Sequence, residues 1–128
     1  MTKEKALQIF AAMTNTLDSK KLEPYLADNF SYSSQKVFAE LVGKDAYLDY
    51  INHKFTAIHS TGILVFAEMG ELRVSHPIGP CVLMAQGSKE NLVATVLAEV
   101  GEGLIQRFDM CIIPTVQSVT RSGIYPIL

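Results

Sequence analysis

Residues 22–55 read LEPYLADNFSYSSQKVFAELVGKDAYLDYINHKF. Leu22, Tyr25 and Leu26 make a short apolar helical face, with Pro24 tolerable only near its start. An acidic turn through Asp28 and Asn29 follows. Phe30 to Ser34 then alternates aromatic and small polar side chains, the pattern of a half-buried strand. After a connector, a helix opens at Gly43-Lys44-Asp45 and runs over residues 44–58. Tyr47, Tyr50, Ile51, Phe55 and Ile58 share one face of it, while Lys44, Asp49, Asn52 and His53 take the wet side. With one helix before this stretch and four strand-like runs after it, the order predicts a cone-shaped α+β domain. Three N-terminal helices would pack on a curved, mostly antiparallel sheet and leave a pocket between the layers.

Working outward, residues 3–17 carry Leu7, Phe10, Ala11, Thr14 and Leu17 at helical spacing, and Asp18-Ser19 breaks the pattern. Strands are predicted at Ile63 to Val74, Cys81 to Gly87, Leu92 to Val100 and Leu104 to Ile113. The intervening segments HPIGP, GSKEN and GEG read as turns, the last as a tight hairpin. Such short links favour antiparallel neighbours. No internal repeat or composition shift divides the chain, so residues 1–128 are expected to form one domain. The weakly patterned tail from Gln117 to Leu128 reads as an extra edge strand or a cover for the pocket. The strand at 92–100 is apolar on both faces, with Val93, Thr95 and Leu97 on one and Leu92, Ala94, Val96, Ala98 and Val100 on the other. An antiparallel sheet usually wets one face, so a second subunit is the expected cover and a homodimer the expected assembly. The alternative cover is the tail itself.

Of the 128 residues 48 % are hydrophobic and 19 % charged, enough apolar material for a sizeable core. The net charge is −2 with Lys and Arg scattered, which argues against a nucleic-acid partner. No apolar run is long enough to span a bilayer, and the first residues lack a secretory h-region. Cys81 and Cys111 lie within apolar runs and read as buried reduced thiols. The cytoplasm is the expected compartment.

The Tyr25-Leu26-Ala27-Asp28-Asn29 segment, the Phe30-to-Ser34 strand, Gly43-Lys44-Asp45 and the Gly103-Leu104-Ile105 hairpin exit together resemble the NTF2-like superfamily. That fold is shared by nuclear transport factor 2, ketosteroid isomerases, limonene epoxide hydrolase and SnoaL-type polyketide cyclases. Tyr32-Ser33-Ser34-Gln35 with Gly43-Lys44 is similar to uncharacterised bacterial members. The resemblance implies the fold more than an activity, because this fold hosts many chemistries. Carried over by residue, it places Phe10 at the isomerases' oxyanion tyrosine, Ser34 at their Asp base and Thr95 near their protonated Asp. Three inert substitutions exclude that mechanism. The epoxide hydrolases' final-strand Asp falls near Met110, with Phe108 at an aromatic pocket position, and their first-strand Tyr matches Tyr32.

The residues themselves leave a short set of candidates. Glu99, on the strand face of Thr95, and Glu68 are the carboxylates that could enter the cavity and act as proton carriers with raised pKa. Tyr32, Ser34 and Gln35 could orient a polar ligand head. Phe10, Tyr25, Phe38, Tyr50, Phe55 and Phe108 could line the cavity or fill it. Arg107 and Asp109 share a strand face and read as an outer ion pair. His53, His59 and His76 show no metal-ligand spacing, and no cofactor motif is present. The expected function is binding of a small, largely apolar molecule in the cavity, with Thr95 and Met110 completing its wall. The alternatives are an isomerase, dehydratase, cyclase or hydrolase using a pocket carboxylate, and a protein-interaction module with a filled interior.

Overall fold

A computed structural model describes residues 1–36, 39–73 and 79–128, with only the backbone described at Ala39. Helix α1 (Lys3–Thr16) is followed by two 3₁₀ turns, Ser19–Lys21 and Glu23–Tyr25. Then come β1 (Leu26–Ser34), β2 (Ala39–Val42), α2 (Lys44–Thr61), β3 (Val65–Leu72), β4 (Gly79–Gln86), β5 (Leu92–Gly101), β6 (Leu104–Cys111), a third 3₁₀ turn at Val116–Ser118, and β7 (Val119–Arg121). The short second helix of the sequence reading is therefore the pair of 3₁₀ turns, with Pro24 inside the second. The Asp28-Asn29 turn lies within β1, which starts at Leu26 because Leu26 already pairs with Ile105 of β6.

The seven strands form one open, curved sheet in the order β2-β1-β6-β5-β4-β3-β7. All pairs are antiparallel except β1 with β6. Gly101-Glu102-Gly103 makes the predicted hairpin, with Gly101 opposite Leu104 and positive φ at both Glu102 (55°) and Gly103 (76°). Such backbone twist matches that of the flanking strands. At the start of α2, Gly43 holds φ 106°, a conformation that a side chain would strain. Its N–H donates to the Phe30 carbonyl and so fixes α2 against β1.

Both helices lie on one face of the sheet. α1 crosses β3, β4 and β5, and α2 rests on β1 and β2. Ala6, Ala11 and Ala12 are almost wholly buried, so α1 sits close to the strands. Phe10, Phe30 and Phe108 meet edge to face beneath the helices, with centroid separations of 5.0 Å (Phe10–Phe108) and 5.6 Å (Phe30–Phe108). They fill the narrow end of the cone.

The outer face is closed by the chain itself. Strand order forces the link from β6 to β7 to cross β5, β4 and β3. It does so on the side away from the helices: the Thr95 hydroxyl donates to the Pro114 carbonyl at 3.0 Å, and Val116 and Val119 pack with Leu72, Cys81 and Leu83. A Cβ on Gly70 would lie 2.5 Å from Val119 Cγ1, so only glycine lets this strand approach. The apolar outer face that suggested a second subunit is thus covered in large part by the tail, the alternative cover named from the sequence. Cys81 and Cys111 are buried and unpaired, and burial pushes their thiols up to about 12 and about 11, with Glu71 and Asp109 adding to the shift.

Past β7 the chain wraps the exposed edge of β3. Met69 donates its N–H to the Ile124 carbonyl, and its own carbonyl accepts from Ser122. One step earlier, the Asn15 side chain takes the place of a neighbouring strand. Its Oδ1 accepts from Ala67 N–H at 2.7 Å, and its Nδ2 donates to the Ala67 and Pro126 carbonyls, each at 2.8 Å. A sheet edge satisfied in this way offers little to a second chain.

Candidate functional site

Between the two helices and the wide end of the sheet lies a cavity of about 170 Å³. α1 contributes Phe10 and Thr14, and β1 contributes Tyr32. Tyr47, Ile51, Lys54, Phe55 and Ile58 come from α2. Val65, Met84, Ala85, Gln86, Val93 and Met110 form the sheet wall, Ile63 comes from the link between α2 and β3, and Lys36 stands just beyond the end of β1. The α2 series follows from helical geometry, because residues about four apart share one face. On the sheet, the β4–β5 register shifts between Met84 and Ala85, placing Val93 as the extra residue of a bulge. Val93 thereby joins the wall although Ala94 also faces inward.

The polar groups in this apolar chamber are few. Tyr47 is completely buried, and its hydroxyl has no hydrogen-bond partner among the described residues. Tyr32 is also buried; its hydroxyl meets the Met110 sulfur at 3.8 Å, a weak acceptor, with the Tyr50 and Ser34 hydroxyls beside it. The two rings lie 5.2 Å apart, and Tyr50 packs against both. Burial first, and then the neighbouring tyrosines, push both phenols above their ordinary value. Both therefore remain protonated donors at neutral pH.

Of the residues singled out from the sequence, Phe10, Tyr32, Phe55 and Met110 come together in this wall. Phe108 faces the same side but is spent in the aromatic floor, and Tyr50 backs the tyrosine pair from the half-buried side of α2. Ser34 is buried, and its hydroxyl accepts from the Lys36 N–H, which ends β1. The others are corrections. Tyr25 is 41 % exposed at the end of a 3₁₀ turn. Gln35 clamps the strand exit instead of a ligand: its Oε1 accepts from the Ile112 and Ile113 amides. Thr95 points to the outer face, where it holds the crossing segment. Phe38 lies outside the described residues.

Both proposed proton carriers lie elsewhere. Glu99 is exposed at the far end of β5, opposite Arg107 and on the outer face with Thr95. Glu68 is buried at 2 % exposure but also faces out, since its neighbours Ala67 and Met69 supply the inner core. There it anchors the tail, accepting from Arg121 Nε at 3.0 Å, Gly123 N–H at 2.8 Å and the Tyr125 hydroxyl at 3.1 Å. Burial alone would raise its pKa. The three hydrogen bonds and the Arg121 charge outweigh burial and hold the carboxyl below its ordinary 4.5, opposite to the shift expected from the sequence. Arg107 and Asp109 form the outer network, with Arg107 also bonded to Glu40 (2.7 Å) and Ser31 (3.0 Å).

Part of the wall is legible as a pattern. The spacing puts Tyr47, Tyr50, Ile51, Phe55 and Ile58 on one helical face, of which it marks Tyr50 and Phe55 as cavity candidates; Phe55 lines the cavity, joined by Tyr47, Ile51 and Ile58. Thr14 shares the α1 face of Phe10 but gives no sign of a cavity role, and Met84, Ala85, Gln86 and Val93 carry none because only the curvature and the bulge bring them to the wide end.

No protein-family model matches the chain, and no curated protein matches it in sequence. Solved structures do match in shape. An NTF2-like protein of unknown function from Cytophaga hutchinsonii superposes with a TM-score of 0.59 at 13 % identity, over 89 % of this chain and 94 % of its own. A SnoaL-like protein of unknown function from Burkholderia thailandensis gives 0.56 at 15 % identity, over 94 % and 97 %. A computationally designed 17-OHP binder gives 0.59 at 15 % identity, over 95 % and 100 %. Three chains so different in sequence share this helix-on-sheet arrangement over nearly their whole length: the protein has the NTF2-like fold.

Proposed function

We propose that the cavity binds a small, largely apolar molecule and that the Tyr32 and Tyr47 hydroxyls orient it. The observation that carries this reading is the buried Tyr47 hydroxyl, without a hydrogen-bond partner among the described residues, in the wall of an apolar chamber that Tyr32 also lines. A buried polar group without a partner costs about 1–3 kcal/mol, a cost that a ligand's acceptor would relieve. Size narrows the ligand. An apolar cavity of about 150 Å³ takes benzene, whereas drug-sized molecules occupy about 300–1,000 Å³. A single ring or a short branched chain fits 170 Å³. The designed 17-OHP binder supports the reading, since a chain of similar fold serves there as a small-molecule binder. A binding role is favoured over proton-transfer catalysis because no carboxylate or histidine lines the cavity among the described residues.

Tyr47→Phe tests this reading. Removing an unpaired buried hydroxyl should raise stability by about 1 kcal/mol, the reverse of the usual sign for a core change. The same substitution should weaken binding of acetophenone, whose carbonyl can accept from the hydroxyl, by about two- to tenfold, the value of one neutral hydrogen bond. Toluene binding should not change. Chemical denaturation and calorimetric titration read the two effects. Loss of stability with no change in the acetophenone-to-toluene ratio would remove Tyr47 from the site.

A further inference from the structure

We infer that the ligand is an anion: a single-ring or short-chain apolar body bearing a carboxylate or a similar group, its head at the mouth between Lys36 and Lys54. The inference rests on the cavity being a binding site and adds the chemical class of what enters it.

The charges around the cavity are of one sign. Lys36 and Lys54 are the charged residues of its wall among the described residues, and no acidic side chain joins them. They come from separate elements, the exit of β1 and the middle of α2, so the fold brings them together rather than a local run of sequence. Neither has a carboxylate within ion-pair distance among the described residues, whereas Arg107 and Arg121 each hold two. The whole chain carries net charge −2, so a positively charged mouth is a local feature. Lys54 is half-buried and its ammonium lies 5.9 Å from the Tyr50 ring centroid. Lys54 lines the cavity while its ammonium stays beside the Tyr50 ring, as long cationic side chains lay an apolar stem along apolar surface and keep the charge in water. Deeper in, the wall is mostly apolar, with the Tyr47 hydroxyl fully buried and without a partner among the described residues.

These features select among ligands. A neutral hydrocarbon would use the chamber and gain nothing from the lysines. A cation would be repelled at the mouth. A carboxylate on a small apolar body meets the lysines with charge-assisted hydrogen bonds, which are about twice as strong as neutral ones, and fills the chamber with its body, where a second acceptor on that body would meet the Tyr47 hydroxyl.

Isothermal titration of 4-methylbenzoate, its neutral isostere 4-methylbenzamide and the cation 4-methylbenzylammonium provides the test. At about 20 mM salt the carboxylate is expected to bind at least tenfold tighter than the amide, and the ammonium weakest. At about 500 mM salt, where the screening length falls to a few ångströms, the gap between acid and amide should close to within about twofold. Lys54→Gln and Lys36→Gln should each weaken the carboxylate by about three- to tenfold and leave the amide within twofold. The salt series needs no variant and stands even if one fails to fold. Equal binding of acid and amide would overturn the anionic class while leaving the cavity as a site for neutral ligands. Preference for the acid without any response to salt or to either lysine would also overturn it. No saturable binding of any of the three compounds would overturn both this inference and the proposed function.

Discussion

Phe108→Ala lowers the free energy of unfolding by about 3–5 kcal/mol, the range for removing a fully buried phenylalanine from a core that cannot collapse around the gap. Phe108 has 0 % exposure and contacts two aromatic partners, Phe10 and Phe30. A domain of this size has about 5–15 kcal/mol in total, so the variant keeps about two-fifths of its stability or less at the weak end of that range. Phe10 belongs to both the aromatic floor and the cavity wall. Removing the ring beneath it extends the cavity toward the narrow end, and a variant that still folds should accept two-ring ligands that the parent rejects. Urea denaturation measures the first effect. A loss below about 1 kcal/mol would mean that Phe108 is not the floor of the cone.

Arg121→Ala acts from the other side of the sheet. It strips Glu68 of its charge partner while the carboxylate remains buried. Breaking a buried pair costs about 3–5 kcal/mol. The Arg121 side chain is 33 % exposed and the Gly123 and Tyr125 hydrogen bonds survive, so a loss near 3 kcal/mol is expected. The pH dependence has a definite sign. In the parent the Glu68 pKa is below its ordinary 4.5. Its contribution is therefore full above pH 4.5 and is lost as pH falls through the lower, folded value. In the variant, burial acts with less opposition and raises the pKa, so protonation favours the folded state. The stability gap between parent and variant should be widest at neutral pH and shrink on acidification. Hydrogen exchange should also quicken at Met69, whose N–H is held by the Ile124 carbonyl of the tail. A gap independent of pH would show that Glu68 is not the group Arg121 serves.

Local patterns were legible wherever one face of an element is wet. The 3.6-residue spacing of α2 located both the helix and most of its cavity wall, and the alternation in β1 located Tyr32. Failures came where the information is not local. β5 is apolar on both faces, so its sequence does not say which side meets the helices. The side bearing Thr95 and Glu99 is the outer one, because the inner side takes the small Ala94, Val96 and Ala98 beneath α1. Glu68 gave no sign of its partners, since Arg121, Gly123 and Tyr125 lie more than fifty residues along the chain. The tail's path over the outer face follows from strand order, which alternation within strands does not encode. β2 was missed because four residues with no clear alternation do not register as a strand.

The five methionines give the most direct measurement of the central claim, that a small molecule occupies the wide end of the cone. Met84 and Met110 line the cavity, Met13 and Met69 are buried outside its wall, and Met1 is exposed. With ¹³C-methyl methionine in the parent protein, titration of 4-methylbenzoate should shift the Met84 and Met110 methyl resonances saturably and along one binding curve, while Met1 and Met69 stay fixed. Saturable shifts at Met1 or Met69 with Met84 and Met110 unmoved would place the ligand elsewhere and contradict the account.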